Sequence, residues 1–116
     1  MTDFKAYGYS CSVAATLDII GGKWKGVILF YLLDGKKRFN ELKRLNGEIT
    51  QRMLTLQLRE LERDGIVHRE IYKEIPPKVE YSLTEFGQSL KPLILMMREW
   101  GEHHVEYVME KRKNEA

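Results

Sequence analysis

The chain has 116 residues, of which 43% are hydrophobic and 31% charged, and its formal net charge is +2. These values are typical of a folded, water-soluble protein, and we expect residues 1–116 to form a single domain. No apolar run is long enough to cross a bilayer, and the first residues lack the basic-then-apolar pattern of a signal peptide. Cys11 is the single cysteine and cannot form an internal disulfide, so we expect a cytoplasmic protein without a membrane partner.

The charged residues are unevenly distributed along the chain. Residues 36–78 hold eleven Lys or Arg and seven Asp or Glu, whereas acidic residues are in excess over the remainder. A basic centre between acidic ends favours a protein that presents one face to nucleic acid and another face to something else.

The first part of the chain, residues 10–34, is predicted to be helical. Residues 1–9 show no period, and we interpret them as an arm that packs on a partner. A helix is expected over about residues 13–20, with Ser10 or Ser12 as its N-cap.

A glycine pair and an apolar run follow this helix. Gly21 and Gly22 predict a turn between helices that needs positive φ. The strongly apolar residues 24–33 predict a second helix that is buried on several sides, and residues 34–37 are interpreted as a turn.

Residues 39–64 follow a helix-turn-helix plan. A short helix over residues 39–45 and a glycine-containing turn over residues 46–49 precede a longer helix over residues 50–64. Thr50 is expected to cap that helix.

The longer helix has two chemically different faces. Leu54, Leu58 and Leu61 recur at helical spacing and are expected to face a core. The outward face carries side chains that can reach base edges and phosphates in a major groove: Gln51, Arg52, Thr55, Leu56, Arg59 and Arg63. Taken alone, this helix is equally compatible with an ordinary solvated basic face.

From residue 66 to residue 83 the period changes to two. This pattern favours strands over residues 66–73 and 78–83. Two prolines place residues 74–77 in a loop, because proline is excluded from central strands. We therefore expect a mainly α fold with a small β-hairpin wing, a winged helix-turn-helix, in which Lys73 and Lys78 flank the wing tip.

Residues 84–111 are predicted to be helical. Thr84 is the expected cap, and Pro92 predicts either a kink or a fresh helix start. Beyond Pro92, a heptad-like stripe recurs at steps of three and four residues: Leu93, Met97, Trp100, His104 and Tyr107. Such a stripe favours packing against a partner chain, and packing on its own domain is the alternative.

No catalytic, cofactor or metal site is predicted. Glu99, His103 and Glu106 share one helical face, but surface charge pairs explain this spacing and nothing supplies a fourth ligand. The sequence has no Ser/His/Asp set, no Gly-rich nucleotide loop and no apolar carboxylate pair, so we do not expect an enzyme.

Several stretches together resemble the HxlR-type family of bacterial winged helix-turn-helix regulators. The resemblance runs in order from Cys11 to about His104. It is carried by residues 11–24 (CSVAATLDIIGGKW), 38–42 (RFNEL), 49–55 (ITQRMLT), 58–62 (LRELE), 76–84 (PPKVEYSLT) and the pair Trp100-Gly101.

The resemblance implies a homodimeric transcription factor that binds a pseudo-palindromic operator in double-stranded DNA. In this family the first and last helices form the dimer interface. We therefore expect the partner chain to contact the aromatic residues of the arm and the C-terminal stripe: Tyr7, Tyr9, Leu93, Met97, Trp100, His104 and Tyr107.

The resemblance also implies that Cys11 is a sensor of oxidants or electrophiles. Its position just before a helix N-terminus favours the thiolate and lowers the thiol pKa. A passive packing role is the alternative. Because the chain has no second cysteine, the open routes are a Cys11–Cys11 bridge across a dimer, a mixed disulfide with a small thiol, or alkylation.

We therefore expect a sequence-specific DNA-binding regulator that acts as a repressor. Gln51, Arg52, Thr55 and Leu56 are the expected base contacts. The expected phosphate contacts are Lys37, Arg38, Arg59, Arg63, Lys73 and Lys78. The alternative function is a winged-helix adaptor that binds proteins and not DNA.

Overall fold

The computed structural model describes residues 1–115. A 3-10 helix at Phe4–Tyr7 is followed by α1 (Ser12–Ile20), α2 (Lys25–Leu32), β1 (Lys37–Arg38), α3 (Phe39–Leu45), α4 (Gln51–Arg63), β2 (Val67–Tyr72), β3 (Lys78–Leu83), α5 (Glu85–Gln88) and α6 (Lys91–Glu115). The mainly helical architecture with a small sheet that the sequence predicts is confirmed.

The core lies where α4 packs against α2 and the start of the sheet. Leu54, Leu58 and Leu61 are buried, as their spacing predicts, and they meet Ile28 and Leu29 of α2 in one hydrophobic cluster. The predicted cap is also confirmed, because the Thr50 hydroxyl accepts a hydrogen bond from the Met53 amide at 3.0 Å. These contacts fix which face of α4 points outward.

The sheet has three antiparallel strands, in the order β1-β3-β2. The two predicted wing strands are present, although β2 begins at Val67 and ends at Tyr72, one residue inside the predicted bounds at each end. The interpretation of residues 34–37 as a turn is wrong at its end, because Lys37 pairs with Tyr81 and Arg38 pairs with Glu80. Two residues are too few to show a period, so β1 is recognisable only by its pairing with β3.

The N-terminal region corrects two expectations. Residues 1–9 are not wholly irregular, since they include the 3-10 helix. Neither serine caps α1, because Cys11 occupies the N-cap position. The glycine turn is as predicted, with Gly22 at φ +84°.

Helices α2 and α6 differ in how far the rest of the chain covers them. One side of α2 is buried, while Val27 on its other side is exposed. Pro92 lies in the first turn of α6, which agrees with the predicted fresh start rather than a kink. Ile94 is the one residue of α6 that is buried within residues 1–115, so most of this helix extends away from the core.

Within residues 1–115, none of the helices combines the length and the apolar character needed to cross a membrane.

Candidate nucleic-acid interface

The first half of α4 presents side chains that are free to bind DNA. Gln51, Arg52 and Leu56 are exposed, and Thr55 is half-buried with its hydroxyl donating to the Gln51 carbonyl at 2.8 Å. Among the residues that the structure describes, no carboxylate forms an ion pair with Arg52 or Arg59. The guanidinium groups of both arginines are therefore available to an incoming phosphate or base.

Arg63 differs from the other arginines of α4. Its Nε lies 3.0 Å from Asp64 Oδ1, and a second nitrogen lies 3.3 Å from Asp64 Oδ2. The bound Asp64 carboxylate raises the pKa of Arg63. Arg63 also lines a cleft with Tyr9 and Asp18, at the far end of α4 from Arg52. Arg63 would therefore have to leave Asp64 to contact a phosphate.

Lys37 and Arg38 stand on β1, next to α3. Lys37 Nζ lies 3.5 Å from Asp34 Oδ2 and 3.5 Å from the Gly35 carbonyl, and its side chain is only 14% exposed. Arg38 is exposed, and its backbone amide donates to Glu41 Oε1 at 3.0 Å. Of these two predicted phosphate contacts, Arg38 is the accessible one.

The wing tip is formed by residues 73–77. Lys73 is exposed, whereas Lys78 is held by its own hairpin: its Nζ lies 4.9 Å from the Tyr72 ring centroid and 4.0 Å from Glu80 Oε2. Ile75 is fully exposed between these lysines. The tip therefore combines a free cation with an apolar side chain.

A buried ion pair fixes α4 on the scaffold. Lys25 Nζ of α2 lies 2.7 Å from Glu60 Oε1 of α4, and the Lys25 side chain is 9% exposed. Sequence reasoning missed this pair, because its members lie 35 positions apart in the chain. The available signal was that Lys25 is the only charged residue in the apolar stretch 24–33.

Cys11 is exposed at the start of α1. The backbone amides of Ala14 and Val13 and the Ser10 side chain lower the pKa of its thiol, and partial desolvation opposes them. A lowered pKa increases the fraction of thiolate, which is the form that reacts with electrophiles and oxidants.

The predicted dimer residues on α6 are exposed. Leu93, Met97, Trp100 and Tyr107 have exposed apolar surface. Trp100 is 58% exposed, and the centroid of its ring lies 4.9 Å from that of His104. Leu93 and Met97 line a groove together with the exposed Val13 and Leu17 of α1. The structure therefore brings α1 and α6 together in one apolar surface.

The two predicted arm residues behave differently. Tyr7 is exposed. Tyr9 is half-buried, and its hydroxyl donates to Asp18 Oδ2 at 2.5 Å, which raises the pKa of the phenol. Tyr9 therefore already has a partner on its own chain.

The acidic and histidine residues of α6 do not converge. His103 Nδ1 lies 3.3 Å from the backbone oxygen of Glu99. Over residues 1–115, no three His, Cys, Asp or Glu side chains are close enough to share a metal ion.

Comparison with known proteins agrees with this architecture. The model of the HxlR-like helix-turn-helix family matches residues 19–109. The uncharacterized HTH-type transcriptional regulator YdeP of Bacillus subtilis (strain 168) is 67% identical over 98 residues, which cover 84% of this chain and 77% of YdeP.

Two solved structures of similar proteins are described as the redox regulator HypR. The oxidized form has a TM-score of 0.79 and 67% identity, over 81% of this chain and 97% of that one. The reduced form has a TM-score of 0.83 and 62% identity, over 86% of this chain and 99% of that one. These relatives are regulators and not enzymes. The chain thus belongs to the HxlR-like helix-turn-helix family of transcriptional regulators.

Proposed function

We propose that the protein is a homodimeric repressor that binds a pseudo-palindromic operator in double-stranded DNA by inserting α4 into the major groove. The observation that carries this proposal is the outward face of α4, where exposed Gln51, Arg52 and Leu56 lie on a helix whose other face is locked into the core. Because such a regulator must reach chromosomal DNA, we propose a cytoplasmic location.

The base contacts are assigned to the first half of α4. Arg52 suits a guanine edge, Gln51 an adenine edge and Leu56 a thymine methyl group, while Thr55 can bond to either base of a pair. Arg38, Arg59 and Lys73 are accessible and hold phosphates. Lys78, Lys37 and Arg63 are the conditional members of the set. Each reaches a phosphate only by leaving the carboxylate that it contacts.

A second copy of the chain is proposed to cover α1 and α6. Exposed apolar side chains of both helices line the groove between them. Gly101 lies inside α6, where a Cβ would meet only Val105 Cγ2 at 3.8 Å, so its own chain does not require a glycine there. Because glycine costs about 1 kcal/mol relative to alanine in a helix, its presence favours close approach of a second helix. Two α4 helices in such a dimer would meet major grooves about 34–36 Å apart.

Cys11 is proposed to control DNA binding by reacting with an oxidant or an electrophile. Its lowered thiol pKa, its exposure and its position on the proposed dimer helix α1 support this role. Similarity to HypR, described as a redox regulator, agrees with it. A symmetric Cys11–Cys11 bridge requires the two Cα atoms to lie within about 7 Å of each other; otherwise a mixed disulfide or alkylation would be the modification.

The test is a fluorescence-anisotropy titration with DNA from upstream of the protein's own gene, at fixed salt. Wild type, Arg52→Ala, Cys11→Ser and, as a matched loss of charge away from α4, Lys111→Ala are compared before and after quinone treatment. Before treatment, we expect tight DNA binding by wild type and Lys111→Ala and weak binding by Arg52→Ala. After quinone treatment, DNA binding should be lost in every variant that contains Cys11 and retained in Cys11→Ser. Binding that quinone leaves intact in wild type would remove Cys11 from the mechanism and keep the regulator.

One observation favours the adaptor alternative. Ile71 and Ile75 of the wing are exposed apolar residues that could contact a protein. The test scans the upstream DNA and the other segments of the surrounding genome. If the wild-type protein binds none of them more tightly than random DNA, the adaptor replaces the repressor.

A further inference from the structure

A cavity of about 430 Å³ opens between α1, α2 and α6, and we call it the Gly26 pocket. Its apolar wall consists of Leu17, Ile20, Val27, Phe30, Ile94 and Met97. This volume lies in the range of pockets that hold small organic ligands, and its apolar wall with a few polar groups is their usual composition. Neither the DNA-binding face nor Cys11 contributes to it.

Gly26 leaves space in the wall of this pocket that its own chain does not need. Its φ is not positive, so the backbone does not require a glycine. A Cβ on Gly26 would meet only Met97 Cε, at 3.7 Å, which is an ordinary contact. By contrast, a Cβ on Gly87 would collide with the Ile66 carbonyl, so packing within the chain does require that glycine. The missing side chain at position 26 therefore leaves this part of the pocket open.

Two cations line the same pocket. Lys23 Nζ lies 4.9 Å from the Trp24 ring centroid, and it forms no ion pair with a carboxylate among the described residues. Arg98 Nε lies 3.2 Å from Glu102 Oε1, while its guanidinium carbon lies 5.9 Å from the Phe30 ring centroid. Among the described residues that line the pocket, Lys23 and Arg98 are basic and none is acidic, so the lining favours an anion.

We propose that the Gly26 pocket binds a small aromatic monocarboxylate. The ring packs on Phe30, Ile94 and Met97 in the space that Gly26 leaves free, and the carboxylate binds Lys23 and Arg98. Binding is non-covalent and reversible, so it needs no reaction at Cys11. The site also stands apart from DNA binding, and it is tested without DNA so that it can succeed or fail independently of the repressor proposal.

The experiment is isothermal titration calorimetry of the full chain with 2-naphthoate, and with neutral 2-naphthamide as its isostere. We expect saturable binding of the acid and at least about tenfold weaker binding of the amide, because the amide loses its charge-assisted hydrogen bonds. Lys23→Gln and Arg98→Gln should each lower the affinity for 2-naphthoate about tenfold while leaving the weak binding of the amide unchanged.

Filling the pocket provides the second arm. Gly26→Leu should abolish binding. Gly26→Ala, whose Cβ fits beside Met97, should weaken binding with an unchanged circular dichroism spectrum and melting temperature. Four results would overturn the proposal: no heat with the acid, equal binding of acid and amide, wild-type binding by folded Gly26→Leu, or a Gly26→Ala chain that becomes monomeric. The last would assign the free space to a partner chain.

Discussion

Lys25 Nζ of α2 and Glu60 Oε1 of α4 lie 2.7 Å apart, with side-chain exposures of 9% and 31%. This pair joins the central helix to the helix whose outer face carries Arg52 and Arg59. Because the ammonium group is almost fully removed from water, loss of its carboxylate would leave a buried charge without a counter-charge. The ion pair therefore helps to hold α4 in one orientation relative to α2.

Glu60→Gln should lower the free energy of unfolding by about 2 kcal/mol, less than for a fully buried pair because Glu60 is partly exposed. Urea unfolding measures this change. The matched control is Glu62→Gln on the same helix, whose pair with Arg69 is 3.4 Å long and exposed on both sides. That control should cost less than about 1 kcal/mol. Equal losses of unfolding free energy in the two variants would show that the Lys25–Glu60 pair stabilises the fold no more than an exposed pair does.

Arg52→Ala should lower operator affinity by about 1–3 kcal/mol and relax sequence preference at one base position. Lys73→Ala, a change at the wing tip, should instead weaken all DNA alike and flatten the logarithmic salt dependence by about one unit. Anisotropy titrations against a set of single-base operator variants distinguish the two effects. A uniform loss for Arg52→Ala across that set would reassign Arg52 to phosphate binding.

Cys11 should be alkylated by iodoacetamide at a rate that rises with pH and reaches its midpoint below the ordinary thiol pKa of about 8.5. The direction follows from the neighbouring amides, which stabilise the thiolate and so lower the pKa in the folded protein. In denaturing urea these amides are no longer held beside the sulfur, and the midpoint should rise. Mass spectrometry follows the reaction without ambiguity, because the chain has one cysteine. Equal midpoints in both conditions would remove the basis for a reactive thiolate.

Trp100→Glu should dissociate the proposed dimer, because it places a charge in the middle of the exposed apolar stripe. Met109→Glu is the control: it lies nine residues on, about 180° around the same helix at about 100° per residue. Analytical ultracentrifugation should show at least about tenfold weaker dimerisation for Trp100→Glu and little change for Met109→Glu. Dimers that survive both substitutions would place the interface elsewhere.

The parts of the fold that the sequence predicts are those with local causes. The three leucines of α4 repeat at helical spacing, and Thr50 caps the helix through an amide three residues away. Sequence alone is enough for such features, because a helical period and an N-cap are set by residues three or four positions apart.

The features that sequence analysis missed depend on residues far apart in the chain. β1 exists because Lys37 meets Tyr81, and Lys25 meets Glu60 only after α2 and α4 have packed. Arg63 continues the basic pattern of α4, but the helix ends beside Asp64, which takes up its guanidinium group. A periodic pattern assigns a residue to a face and says nothing about the neighbour that the fold brings to it.

The exposed length of α6 has a consequence for the living cell. Ile94 is the single residue of this 25-residue helix that is buried within residues 1–115, so in the proposed dimer the second copy supplies most of its packing. Folding and assembly are then one mass-action equilibrium, and each tenfold dilution removes about 1.4 kcal/mol of stabilisation. The melting temperature should rise with protein concentration. In the cell, the stability of each copy of the protein would then rise with the number of copies.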